Sequence, residues 1–144
     1  MINRKKSFTL IEVLIFVTIL SLFFVTAAAV TITSLRNLKI QENKILATRY
    51  AQELLEWLRG EKEADWNNFT TKNNTYCFNS SPIPSWGSAG NCSNYGLNNL
   101  YKREVNLNPQ GTPPYQVNVS ITVSWQELGQ IYQVPLNTVF TVWE

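Results

Sequence analysis

The sequence contains no histidine. That absence excludes Ser-His-Asp and Cys-His catalysis, His-ligated metals and the commonest general base. There is one aspartate, Asp65, so an Asp-rich calcium loop is excluded as well. Two cysteines, Cys77 and Cys92, are too few for a four-cysteine zinc site or an iron–sulfur cluster. Charge is scarce: charged residues are 15% of the 144, against ~25% in ordinary globular chains. The formal net charge is +2, without the basic excess of a polyanion binder, so nucleic acid is not an expected partner of the domain. No proline precedes Pro82. The expectation is a non-enzyme with no cofactor, no metal and no small-molecule substrate. The length allows one domain plus an anchor.

What is present is unevenly spread. Met1 to Ser7 carries Arg4, Lys5 and Lys6, and the next 23 residues, Phe8 to Val30, carry one charge, Glu12. As a helix that run would be ~34 Å long, enough for a hydrocarbon core of ~30 Å. The preceding cations place its N-terminus on the cytoplasmic side. The run is longer than the ~7–15 apolar residues of a secretory signal peptide, although Ala27-Ala28-Ala29 offers a cut at its end. Glu12 is the anomaly. A carboxylate at the bilayer centre costs ~2.5–3.5 kcal/mol, and less near the end of the span. It either snorkels to the headgroups or awaits a positive partner inside the membrane. The residues alone leave both readings open.

Lys5-Lys6-Ser7-Phe8-Thr9-Leu10-Ile11-Glu12-Val13, followed by the unbroken apolar run, resembles the signal of type IV prepilins and type II secretion pseudopilins. The resemblance implies that a membrane prepilin peptidase cuts between Ser7 and Phe8 and that Phe8 becomes an N-methylated terminus. It also implies that Glu12 pairs with a neighbouring subunit's terminal amine during assembly. Partners would then be other pilin or pseudopilin subunits, met through the N-terminal helix. The chain would wait in the cytoplasmic membrane, single-pass, before entering an extracellular or periplasmic filament. Ser7 stands where the family usually has Gly. The apolar helix also lacks the Pro that major pilins commonly carry, which points to a minor pilin or pseudopilin. Loss of seven residues with three cations would turn the net charge from +2 to −1.

From Thr31 to Arg59 no Pro or Gly interrupts the chain. Leu35, Leu38, Ile45, Leu46, Tyr50, Ala51, Leu54, Leu55 and Leu58 recur mostly at spacings of three and four, with charged residues between them. This is the period of an amphipathic helix. Arg49–Glu53 and Glu56–Arg59 are expected helix neighbours. Gly60 sits where a C-terminal cap belongs. Joined to the apolar run, this predicts one helix of about 52 residues, ~78 Å long. The expected segments are a leader over 1–7, a membrane and assembly helix over 8–30, an amphipathic continuation over 31–60, and the globular head's loops and sheet over 61–144.

Residues 115–125 alternate strictly, with Tyr115, Val117, Val119, Ile121, Val123 and Trp125 on one side. That is a strand buried on one face. Glu127-Leu128-Gly129-Gln130 supplies a turn, and a second run, with Val134, Leu136, Phe140 and Val142 in phase, completes a hairpin with a loop of about five residues. Pro135 places that strand at an edge or bulge. Tyr101 to Leu107 is a further strand. Cys77 and Cys92, an even pair in an exported domain, are expected to form a disulfide, worth ~3 kcal/mol in the chain-entropy model. Trp66, Phe69, Tyr76, Trp86, Tyr95 and Tyr101 either pin irregular loops or form a stacking surface, and pinning is the favoured reading. The predicted fold is α+β and pilin-like, a long N-terminal helix packed on a small antiparallel sheet. An alternative function is an uncleaved, membrane-anchored, extracytoplasmic domain that binds a glycan or protein.

Overall fold

The computed structural model describes residues 9–142. One α-helix, α1, spans Leu10–Ala64. A short helix, α2, follows at Trp66–Thr70, and then five strands: β1 Thr75–Cys77, β2 Ser88–Ala89, β3 Tyr101–Gln110, β4 Gln116–Glu127 and β5 Gln130–Thr141. They form one sheet in the order β2-β1-β3-β4-β5, antiparallel throughout. The chain divides into two compact units between Ile40 and Gln41, and α1 contributes to both.

In the second unit the sheet buries one face against α1. Val117, Val119, Ile121, Val123 and Trp125 of β4 point inward with Tyr101, Val105 and Leu107 of β3. The covering stripe of α1 is Asn43, Ala47, Ala51, Leu54, Leu58 and Lys62. This differs from the expected stripe: Leu35, Leu38 and Ile45 are exposed, while Leu46, Tyr50 and Leu55 are half-buried. The rotation has a steric reason. Tyr101 and Trp125 are large and fully buried, so the helix approaches them with Ala47 and Ala51 rather than with leucines.

Gly60 does not cap the helix. The helix continues through it to Ala64, and the break falls at Asp65. The Asp65 side chain accepts the Asn68 N–H at 3.0 Å and so caps α2, which explains why the rod ends here. The β4–β5 loop is also shorter than expected. Leu128 and Gly129 form a two-residue turn, both with positive φ, closing on the pair Glu127–Gln130. The turn falls where the sequence places it, but a two-residue loop normally favours Asn-Gly, and Leu128 hides that length. Its closing pair is hydrogen-bonded, so even-numbered residues of β5 bond to β4 and odd-numbered ones turn their backbone outward. Pro135 is odd and lies on the sheet's edge strand, where its missing N–H breaks no ladder bond. Tyr115 lies outside β4 and is exposed. It packs over Gly111, where a Cβ would collide with its ring.

Cys77 and Cys92 are bonded, tying β1 to the loop before β3. The loop aromatics pin that region down. Trp86 packs against Trp57, Phe69, Tyr76 and Phe78, and its indole N–H donates to Glu61 at 2.8 Å.

The deepest polar group is Arg103, 0% exposed and in the inward phase of β3. Its guanidinium donates to the Phe78 carbonyl at 3.0 Å, the Tyr50 carbonyl at 2.9 Å, the Ser80 carbonyl at 2.6 Å and the Glu53 carboxylate at 2.8 Å. Burial lowers its pKa, and the Glu53 hydrogen bond and charge oppose that fall. The sequence reading placed Glu53 with Arg49; the structure gives it to Arg103 and to the Ser81 hydroxyl. The other helix pair, Arg59–Glu56, forms at 2.7 Å.

Replacing Arg103 by Met should destabilise the head by ~3–5 kcal/mol, because three carbonyls and Glu53 lose a shared donor. Arg103→Lys should fall between, since an ammonium cannot serve the same four acceptors from one plane. Denaturant unfolding of the full chain in micelles, followed by Trp fluorescence, measures both. A loss under 1 kcal/mol for Arg103→Met would contradict this account.

Tyr101 gives a pH test. Its hydroxyl donates toward the Asn43 side-chain oxygen at 3.2 Å. Burial, then the charges of Tyr50, Glu42 and Glu127, push its pKa from 10.0 to about 12. The folded state therefore favours the neutral phenol. That stabilisation is complete below pH 10 and is lost as pH rises through about 12. Tyrosinate absorbance should show a component with a midpoint near 12 that vanishes in Tyr101→Phe.

Candidate functional site

The residues expected to carry the chemistry lie at the N-terminus. Ser7 and Phe8 lie outside the described residues. The described chain begins at Thr9, whose carbonyl accepts the N–H groups of Glu12 at 3.1 Å and Val13 at 3.3 Å. Thr9 thus sits at the N-cap of α1, and Glu12 is the acidic residue of its first turn. Thr9-Leu10-Ile11-Glu12 has the spacing of a capping box, in which a Thr and a Glu three residues later serve the free N–H groups of the first turn. A carboxylate there is also favoured by the helix dipole. The Glu12 carboxylate makes no capping hydrogen bond among the described residues, so the box is present in spacing and not in contact.

From Val13 to Val30, α1 is apolar on all sides. Ile11, Val13, Leu14, Ile15, Phe16, Val17 and Ile19 are all more than half exposed, and so are Phe23, Phe24 and Val25. A helix apolar all round needs lipid or other helices against it. By length and composition α1 can cross a membrane, with a mean hydropathy of 2.7 over its best window. Its few hydroxyls suit that medium. Thr18 donates to the Ile15 carbonyl at 2.8 Å, Ser21 to Thr18 at 2.8 Å, Thr26 to Phe23 at 2.9 Å, Thr31 to Ala27 at 2.9 Å and Thr33 to Val30 at 2.9 Å. Each is satisfied inside the helix, as a hydrocarbon environment requires. The Glu12 carboxylate has no hydrogen-bond or ion-pair partner among the described residues, so it differs from every one of these hydroxyls.

Cys77 and Cys92 lie in the second unit and staple the head. No group of three or more His, Cys, Asp or Glu residues that could hold a metal occurs among the described residues. Arg103 is the residue that sequence reasoning passed over. The signal was a charge falling in the inward phase of an alternating strand.

A profile of the prokaryotic N-terminal methylation motif matches residues 2–28. No curated protein and no solved structure matches the chain. The matched span takes in the basic leader, Glu12 and most of the apolar run of α1. At its N-terminus the chain carries the type IV prepilin-like signal, leading into a membrane-capable helix.

Proposed function

We propose that this chain is a type IV pilin-like structural subunit, a minor pilin or pseudopilin, whose work is assembly rather than catalysis. Prepilin peptidase would cut between Ser7 and Phe8, and Phe8 would become the methylated terminus. The subunit would wait in the cytoplasmic membrane and then enter an extracellular or periplasmic filament through its N-terminal helix. The observation that carries this reading is the motif at 2–28 joined to a helix whose carboxylate, Glu12, has no partner among the described residues while its hydroxyls bond within the helix.

The physics of Glu12 follows from its medium. In low dielectric a carboxylate attracts an amine far more strongly than in water. Placed beside the Phe8 amine of a neighbouring subunit, it would exchange an insertion penalty for an ion pair. Removing one member of a buried pair costs ~3–5 kcal/mol, since the other charge is stranded.

Two substitutions separate pairing from capping. Glu12→Gln keeps the capping-box residue type and removes the charge. Glu12→Leu removes both. Under the pairing role both variants are exported, cleaved and folded, yet stay in the membrane fraction and are missing from sheared filaments. If Glu12→Gln assembles at the wild-type level, Glu12 acts only on its own helix. An uncleaved anchored domain would tolerate both changes.

Processing has its own test. Ser7→Gly should be cut at least as fast as the natural sequence, because the slot favours the smallest side chain. Ser7→Leu should accumulate at full length. N-terminal sequencing that finds Phe8 at the start of the Ser7→Leu product would refute the cut rule.

A further inference from the structure

The face of the sheet opposite α1 is not an ordinary water-facing surface. Its β4 positions are Gln116, Asn118, Ser120, Thr122, Ser124 and Gln126, and its β5 positions include Gln133, Asn137, Val139 and Thr141. None is charged. Between Val105 and Val142 the chain has one charged residue, Glu127, which accepts from Asn43 of α1 at 2.9 Å. Solvated sheet faces normally rely on Lys and Glu for solubility and to discourage edge pairing. Here amides and hydroxyls replace them across two adjacent strands, one of them the edge.

This face also has a hollow of about 350 Å³. Two cross-strand rows shape it. Asn106, Ser120 and Asn137 lie in register, as do Asn108, Asn118 and Val139. Ser120 is the short side chain at the middle, and its hydroxyl donates to Asn137 at 2.6 Å. Asn106 donates to Thr75 at 3.0 Å. The side-chain amides of Asn108 and Asn118 have no protein hydrogen-bond partner among the described residues, and each keeps an amide donor and a carbonyl acceptor for a ligand. Val139, 44% exposed, supplies an apolar contact at one rim.

We propose that this hollow binds a neutral polyhydroxylated chain, a glycan segment, laid across β3, β4 and β5. A sugar hydroxyl both donates and accepts, and so does each asparagine amide. Neutral amides lose less on desolvation than charges do. A nucleic acid would need cations for its phosphates and aromatic platforms for its bases, and this part of the face has neither. A strand of another protein would pair with the edge of β5 rather than lie over the face. The site works by hydrogen bonding with little stacking, so a single head binds weakly, with Kd of roughly millimolar order. The proposal concerns the head alone and stands whether or not the head rides on a filament.

The test uses the full chain, ¹⁵N-labelled, in micelles of a detergent without a sugar headgroup. Cellohexaose, chitohexaose and maltohexaose are titrated to millimolar concentration, with heparin and single-stranded DNA as polyanion comparisons. At least one neutral hexasaccharide should shift the Asn108 and Asn118 side-chain amides saturably. The double variant Asn108→Ala with Asn118→Ala should weaken that binding at least about tenfold with the unfolding midpoint unchanged. Ser120→Gln, which fills the hollow with a neutral side chain, should do the same and replaces the double variant if that one fails to fold. No saturable shift with any of the three hexasaccharides overturns the site. Undiminished binding in the folded variants overturns its location. Tighter binding of heparin or DNA to these amides overturns the ligand class.

Discussion

The head depends on one buried cation. Arg103 comes from β3, yet its hydrogen bonds end on α1, through Tyr50 and Glu53, and on the loop after β1, through Phe78 and Ser80. These segments are far apart in sequence, and the loop presents only backbone carbonyls. An apolar side chain at 103 would leave those carbonyls facing a dry interior. The guanidinium satisfies them from one plane, and Glu53 limits the cost of burying its charge. The disulfide acts on the same region from the other side, holding β1 to the loop that begins the return to β3. Loop, helix and sheet are thereby fixed where regular secondary structure is sparse.

The same helix meets two different demands. In residues 13–30 large apolar side chains face every direction and the hydroxyls of Thr18, Ser21 and Thr26 bond inside the helix, the pattern of a segment without water around it. In residues 43–62 one stripe is buried and the rest is solvated. The change between them lies in the medium each half requires rather than in helix propensity. Glu12 belongs to the first half by position and breaks its pattern by charge, which makes it the residue on which assembly rests in the proposed function.

The opposite face of the sheet shows how selective the charge deficit is. The buried face needs no charges, and its one exception, Arg103, is fully satisfied. The outer face carries charge on β3, at Lys102 and Glu104, and has none on β4 and β5 between Gln116 and Gln126 and between Gln133 and Thr141. That restriction is stronger than solubility asks, and it coincides with the hollow between Asn106 and Val139.

Much of this was legible in the residues. The apolar run, the leader cations and Phe-Thr-Leu-Ile-Glu determined a membrane-capable helix with a processing signal, because each depends only on local composition and spacing. Strict alternation from Val117 to Trp125 determined β4, and an even pair of cysteines beyond a membrane-capable helix pointed to the Cys77–Cys92 bond. The tertiary structure decided what rests on contacts distant in sequence. Leucine spacing alone indicates that a helix buries a face, but the bulk of Tyr101 and Trp125 selected Ala47 and Ala51 as that face. Gly60 reads as a stop, but a stop needs a cap, and the cap is Asp65. Glu127-Leu128-Gly129-Gln130 reads as a turn, but only the pairing of Glu127 with Gln130 decides that its loop has two residues. Arg103 could be placed on a strand from its neighbours, but its partners lie about 20 to 50 residues away, and only the folded chain brings four acceptors to one guanidinium.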